Sequence, residues 1–316
     1  MSLHKLCIEP EDVLGARARL AEIARETPLL PYSKNSGVRL KAENLQTTGS
    51  FKIRAAFNQI SLLSNKEKRQ GIVASSSGNF GQAAAYAAKT LGVTAKIVMM
   101  KSSSPIKAHR TLSHGAEVVF CEDQFEARGK MVAHIQRAER RVPVHPYDHP
   151  HAIAGNGTIA LEVMDRWKEV ENIVVPISGG GLISGVALAA KARNPQVRIW
   201  GVQPEGSNAT YLSFQARKAV SIDHAHTAAD GLMVTRPGAL TLPIIQALVE
   251  DVVAVKEDSI LAAVRWLLLE EKLVVEPSGA VPLAALLEGK VPSRATVLIL
   301  SGGNISPELL MAACRP

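Results

Sequence analysis

The chain has 316 residues, of which 47% are hydrophobic, 21% charged and only 4% aromatic, and its 36 Lys and Arg outnumber 29 Asp and Glu for a net charge of +7. That composition excludes a disordered, collagen-like or coiled-coil chain, and the length calls for two domains or one large one. The basic surplus favours anionic small molecules, whereas scattered cations and scarce aromatic rings argue against a nucleic-acid partner.

The N-terminus, MSLHKLCIEPED, is charged and lacks an apolar signal core. The first helical run expected is 51–63. It follows Thr47-Thr48-Gly49-Ser50-Phe51-Lys52, with Ser50 as the expected N-cap. Lys52 then falls in the first turn, where the helix dipole disfavours a cation. Burial would lower its pKa further and make it a nucleophile and Schiff-base former. Taken in isolation, a lysine reads more simply as a solvated surface residue. A strand at 72–74 leads into Ser75-Ser76-Ser77-Gly78-Asn79-Phe80 and a helix over 81–90. This loop offers hydroxyls, an amide and N–H groups to a carboxylate, but the same residues also suit an ordinary helix cap.

Strands are expected next at 95–100 and 117–120. The loop over 145–151 contains two prolines and no apolar period, and reads as a domain crossing. Its His145, His149 and His151 have metal-like spacing that the prolines spoil, so no metal site is expected. The uncharged run 172–190 is long enough to span a bilayer, but P-I-S-G-G-G at its centre would break a spanning helix. It reads instead as a strand at 173–177, the loop Ser178-Gly179-Gly180-Gly181, and a helix over 182–191. Three glycines before a helix make an anion cradle or simply a tight turn. The loop matches neither GxGxxG nor GxxxxGK[ST].

Strands at 198–202, 252–255 and 296–300 and helices over 258–271 and 280–287 complete the pattern. Glu270-Glu271 reads as a solvated helix face and Leu267-Leu268-Leu269 as core. Strands alternating with helices predict an α/β fold whose parallel sheets are covered on both faces. Cys7, Cys121 and Cys314 are far apart and form no CxxC pair, which argues against a disulfide or zinc framework and fits a reducing cytoplasm.

The run Lys41-Ala42-Glu43-Asn44-Leu45-Gln46-Thr47-Thr48-Gly49-Ser50-Phe51-Lys52-Ile53-Arg54-Ala55-Ala56 resembles the lysine segment of fold-type II pyridoxal-phosphate enzymes, and within them the serine/threonine dehydratase and serine racemase group. Ser76-Ser77-Gly78-Asn79, Ile153-Ala154-Gly155-Asn156-Gly157-Thr158, Ser178-Gly179-Gly180-Gly181-Leu182, Ala229-Asp230-Gly231, Glu276-Pro277-Ser278-Gly279-Ala280 and Ser301-Gly302-Gly303-Asn304 follow in the family's order.

The resemblance implies two domains with twisted parallel sheets, as in the tryptophan synthase β fold. Residues 1–62 and 149–316 would bind the cofactor, and 63–148 would close over the substrate. It implies pyridoxal 5'-phosphate held covalently on Lys52 beside Phe51, with Asn79 at the ring hydroxyl and Ser301 at the ring nitrogen. Ser178, Gly179, Gly180, Gly181 and Leu182 would hold the phosphate, and Gly231 would line the pocket. Ser76, Ser77 and Asn79 would receive the substrate carboxylate.

The implied activity is conversion of β-hydroxy-α-amino acids, L-threonine or L-serine by default, to 2-oxo acids and ammonia by a homodimeric cytoplasmic enzyme. Phe80 stands where many relatives carry histidine, an apolar wall suited to a bulkier substrate such as phenylserine. Ser77 matches the racemases' second proton donor, so racemisation with Lys52 and Ser77 on opposite faces is the alternative. Ser178 replaces the first of four family glycines, Ala55 a glycine and Asn156 a glutamine. Gln203 replaces a metal-binding glutamate, and a neutral amide is a weak ligand for a hard cation. The end of the chain at Pro316 leaves no room for a regulatory domain, so feedback by isoleucine is not expected. A sulfhydrylase, a nicotinamide dehydrogenase and a non-catalytic cofactor carrier are weaker fits.

Overall fold

The computed structural model describes residues 8–103 and 105–314. Cys7 therefore lies outside the described residues. The chain opens with α1 (Pro10–Leu20), the hairpin β1 (Leu29–Tyr32) and β2 (Asn35–Lys41), and α2 (Lys52–Ser61). A second group follows: α3 (Asn65–Gln70), β3 (Ile72–Ser75), α4 (Asn79–Thr90), β4 (Ala95–Met100), α5 (Pro105–Ser113), β5 (Glu117–Cys121), α6 (Phe125–Glu139) and β6 (Val142–Pro143). The remainder comprises α7 (Pro150–Arg166), β7 (Asn172–Pro176), α8 (Gly181–Arg193), β8 (Arg198–Pro204), α9 (Ala209–Gln215), α10 (Thr241–Leu248), β9 (Asp251–Val255), α11 (Glu257–Leu269), α12 (Pro277–Leu287), β10 (Thr296–Ile299) and α13 (Pro307–Cys314).

Two sheets result, one in the order β1-β2-β10-β7-β8-β9 and the other in the order β5-β4-β3-β6. Apart from the antiparallel β1–β2 hairpin, every pairing is parallel. The strands are apolar because both faces are covered. In β7 and β10, Ile173, Val175, Val297 and Ile299 face the core beneath α7, α8 and α10. Val174, Leu298 and Leu300 face the core under α11 and α12. The smaller sheet repeats the device: Ile72, Ala74, Ile97 and Met99 pack with α2 and α4, while Val73, Val98 and Cys121 pack with Ile135 of α6. Such alternation between two buried faces is what a covered parallel sheet requires.

Several local expectations are corrected. Ser50 does not cap α2. Its backbone forms an antiparallel bridge with Gly302, and Phe51 precedes the helix. Gly78, not a Ser or Asn, precedes α4, and Ser76 Oγ instead accepts from the Gly78 N–H at 3.2 Å. The crossing loop is shorter than 145–151, because Pro150 and His151 already belong to α7. Glu271 lies beyond the end of α11, where its carboxylate accepts from Ser33 Oγ at 2.5 Å and from the Trp266 indole at 3.2 Å. Of the leucine triplet, Leu267 is core and Leu269 is 43% exposed.

Candidate active site

The carboxyl ends of β3, β7 and β10 open onto one cleft, the place where α/β folds bind ligands. The chain enters it at Ser50–Lys52. The Ser50–Gly302 bridge and a Phe51 N–H to Ser301 carbonyl bond of 3.1 Å stitch the start of α2 to the end of β10. Lys52 is thereby fixed as the first residue of α2, and its Nζ donates to the Pro146 carbonyl at 2.9 Å. Burial lowers its pKa to about 8, against a smaller opposing pull from the Glu276 carboxylate. The amine lies 4.9 Å from the Phe51 ring centroid and 5.9 Å from that of Phe80. Two residues on, Arg54 is buried between Glu43 (2.8 Å) and Glu162 (2.6 Å), anchoring α2 against α7.

The second wall is the turn from β7 into α8. Its carbonyls are tied back to the protein: Thr210 Oγ1 donates to Ser178 O at 3.1 Å and Thr241 Oγ1 to Gly179 O at 2.6 Å. The first N–H groups of a helix have no intrahelical acceptor, so here they are left to the cleft. Glycine is required for close approach. A Cβ on Gly179 would lie 2.2 Å from the Tyr147 ring, and Gly180 has a φ of +98°. Donors turned inward, carbonyls turned away and a helix dipole behind them suit a phosphate. Gln203, buried behind this turn, donates to Ile177 O at 3.3 Å and accepts from the Tyr211 N–H at 2.8 Å, so its amide braces the segment.

The third wall is polar. Asn79 Nδ2 donates to Glu276 Oε1 at 2.6 Å, and Asn304 Nδ2 donates to Asn79 Oδ1 at 2.8 Å. Burial pushes the Glu276 carboxyl up to about 7, helped by Asp230 and opposed by Lys107. Lys107 of α5 is ion-paired with Asp230, and Arg110 of the same helix donates to Asn304 at 3.0 Å. Ser301 Oγ donates to the Ser278 carbonyl at 3.5 Å, and the Gly231 N–H donates to Ser278 Oγ at 2.9 Å.

These walls enclose a cavity of about 1040 Å³. Its lining brings together every site residue expected from sequence: Phe51, Lys52, Ser76, Ser77, Asn79, Phe80, Ser178, Gly179, Gly180, Gly181, Leu182, Gly231 and Ser301. It also contains Glu276, His145, Tyr147, Arg128 and Lys107, to which the sequence assigned no role. Burial drops the His145 pKa to about 4, and its Nδ1 accepts from the Asp148 N–H at 2.8 Å. His149 Nδ1 accepts from the His151 N–H at 3.2 Å, a local turn contact. Among the described residues, no group of three His, Cys, Asp or Glu side chains is placed to hold a metal, and no helix is long and apolar enough to cross a membrane. Cys121 and Cys314 are free.

The cleft can hold a phosphorylated ring between an amine and a hydroxyl, with a second anion at the start of α4. A family model described as pyridoxal-phosphate dependent enzyme matches residues 20–302. The catabolic L-threonine dehydratase TdcB of Escherichia coli (strain K12) is 42% identical over 312 residues, covering 96% of this chain and 94% of that one. The serine racemase of Oryza sativa subsp. indica is 35% identical, covering 96% and 92%. The structure of maize serine racemase superposes with a TM-score of 0.93 at 35% identity, over 97% of this chain and 96% of that one.

Proposed function

The chain belongs to the family of pyridoxal-phosphate-dependent enzymes, and from that premise we propose that it is an ammonia-lyase turning β-hydroxy-α-amino acids into 2-oxo acids and ammonia. L-Threonine is the leading substrate, in keeping with the dehydratase at 42% identity, and L-serine the next. The observation that carries this reading is Lys52, an amine held near pKa 8 in the same cavity as the glycine cradle.

The chain's own groups divide the work. The N–H groups of Gly179, Gly180, Gly181 and Leu182 would hold the phosphate, and the Ser301 hydroxyl would face the ring nitrogen. Ser76, Ser77 and the start of α4 would orient the substrate carboxylate. When bound, pyridoxal phosphate supplies the sink for the electron pair left at the α-carbon. Lys52 takes the α-proton, and an amine with a pKa near 8 can hold and release it close to neutral pH. A neutral serine at the ring nitrogen stabilises a protonated ring less than a carboxylate would, which favours loss of the β-substituent. Phe80 makes that side of the cavity apolar, so aryl substrates such as phenylserine belong in the panel.

The smaller sheet, built from residues 72–143, carries the substrate loop, and we take 63–148 as the unit that closes over the cleft. A homodimer in the cytoplasm remains the expected assembly. Racemisation is the second reading, favoured by the Ser77 hydroxyl in the cavity.

Purified protein supplemented with pyridoxal phosphate is expected to be yellow, and borohydride should fix a stable adduct on Lys52. Lys52→Ala should lose both the adduct and oxo-acid release from a panel of threonine, serine and phenylserine. A colourless protein, or an adduct on another lysine, would overturn the proposal.

A further inference from the structure

Ser77 does not stand alone. At the end of β4 the chain makes a tight turn in which the Ser103 N–H donates to the Met100 carbonyl at 3.0 Å. That turn grips the Ser77 hydroxyl from two directions. Ser103 Oγ donates to Ser77 Oγ at 2.7 Å, and the Met100 N–H donates to the same oxygen at 3.4 Å. A serine oxygen has two acceptor positions and one proton. With both positions filled, the Ser77 proton points along the remaining direction. Ser77 and Ser103 both line the cavity that holds Lys52. Ser103 is half-buried and its neighbour Ser102 is exposed, so the pair runs from the cleft toward water.

We propose that Ser103 is a positioning and proton-relay residue that makes Ser77 competent to protonate the α-carbon. This rests on the second reading above, racemisation through Ser77. As the Ser77 hydroxyl gives its proton to the α-carbon, a C–H bond forms and the Ser77 O–H bond breaks. The Ser77 oxygen takes the proton of the Ser103 hydroxyl, Ser103 recovers one from water, and the hydroxide so formed is neutralised by the proton that Lys52 took from the α-carbon and gives up to solvent. Atoms and charge balance without any further reactant. An isolated serine would be left as an alkoxide in a half-buried site, which is costly.

The test follows L-serine in D2O with the cofactor-loaded protein and with Ser103→Ala and Ser103→Thr. The readouts are D-serine formation, deuterium at the α-carbon and oxo-acid release, together with the affinity of the apo-protein for pyridoxal phosphate by absorbance. Ser103→Ala is expected to lower D-serine formation by roughly tenfold or more. Its KM, cofactor affinity and oxo-acid release from L-serine should stay within about twofold of the parent, since general acid–base support is lost on one face only. Ser103→Thr keeps a hydroxyl and should restore D-serine formation. The proton inventory of that step should bow in the parent, where two protons move, and be linear in Ser103→Ala.

Unchanged D-serine formation in Ser103→Ala, failure of threonine to restore it, or no D-serine from the parent would each overturn the relay. Oxo-acid release in the parent separates this from the lyase reading: its presence without D-serine removes only the relay. Its absence alongside D-serine removes only the lyase.

Discussion

Glu276 illustrates what a single residue gains from being enclosed. As a residue in a chain it is one carboxylate before a proline, and its place in a family motif assigned it no role. The fold buries it to 4% exposure beside Asp230 and gives it one strong partner, Asn79. Burial consequently pushes its carboxyl up to about 7 from the ordinary 4.5. The linkage has a definite sign. The folded state holds the proton between 4.5 and 7 where the unfolded chain has released it, so the stability is fully present below pH 4.5 and lost as pH rises through 7. The shift corresponds to a cost on the order of 3 kcal/mol above pH 7. Glu276→Gln keeps the shape and the acceptor for Asn79 but cannot ionise. The apo-variant should therefore melt progressively higher relative to its parent between pH 5 and pH 8, by thermal denaturation. A constant difference across that range would place the titration elsewhere. Lys52 was readable because its helix start and flanking motif lie in sequence; Glu276 was not, because burial and neighbouring charge come from segments far apart in the chain.

At the scale of elements, legibility followed burial geometry. Strands β3, β4, β7, β8, β9 and β10 were visible because doubly covered strands are short apolar runs bounded by turns. Helix α7 escaped notice for the same reason in reverse. From Ala152 to Met164 every residue is buried, so no polar face marks its period. Helices α1 and α6 lack a strong apolar stripe, and the β1–β2 hairpin carries its pairing without a strict alternation. The glycine turn, by contrast, was plain as a pattern although not as a need. Gly179 is demanded by Tyr147, whose ring would meet its Cβ at 2.2 Å, and Gly180 by its φ of +98°. Gly179→Ala must push the ring or the turn aside, at a cost of about 1–3 kcal/mol for an overpacked contact. That converts to roughly a fivefold to 150-fold loss in affinity for pyridoxal phosphate. Equilibrium dialysis of the apo-protein measures it. Gly179→Ala combined with Tyr147→Ala should recover part of the loss, whereas no recovery would mean that the cradle itself rejects a side chain.

The whole molecule brings two sheets to one cleft, and polar contacts cross between them. Lys107 and Arg110, both on α5, reach Asp230 and Asn304, which belong to the segments around the larger sheet. The Lys107–Asp230 pair is partly solvated, with Asp230 at 46% side-chain exposure, so its share of overall stability is about 0–1 kcal/mol. On the proposed closure of residues 63–148 over the cleft, its leverage lies in the balance between open and closed forms. A loss of about 1 kcal/mol from the closed form lowers apparent substrate affinity roughly fivefold, because only the closed fraction binds tightly. Lys107→Met and Asp230→Asn should each raise KM for threonine by that factor with little change in melting temperature. The pair of variants also separates closure from electrostatics. Asp230 pushes the Glu276 carboxyl up and Lys107 pulls it down, so the two substitutions move Glu276 in opposite directions. A KM that rises in both, measured by steady-state kinetics at one pH, can come only from the contact they share. A KM that rises in one and falls in the other would assign the effect to Glu276 and leave the crossing pair without a part in closure.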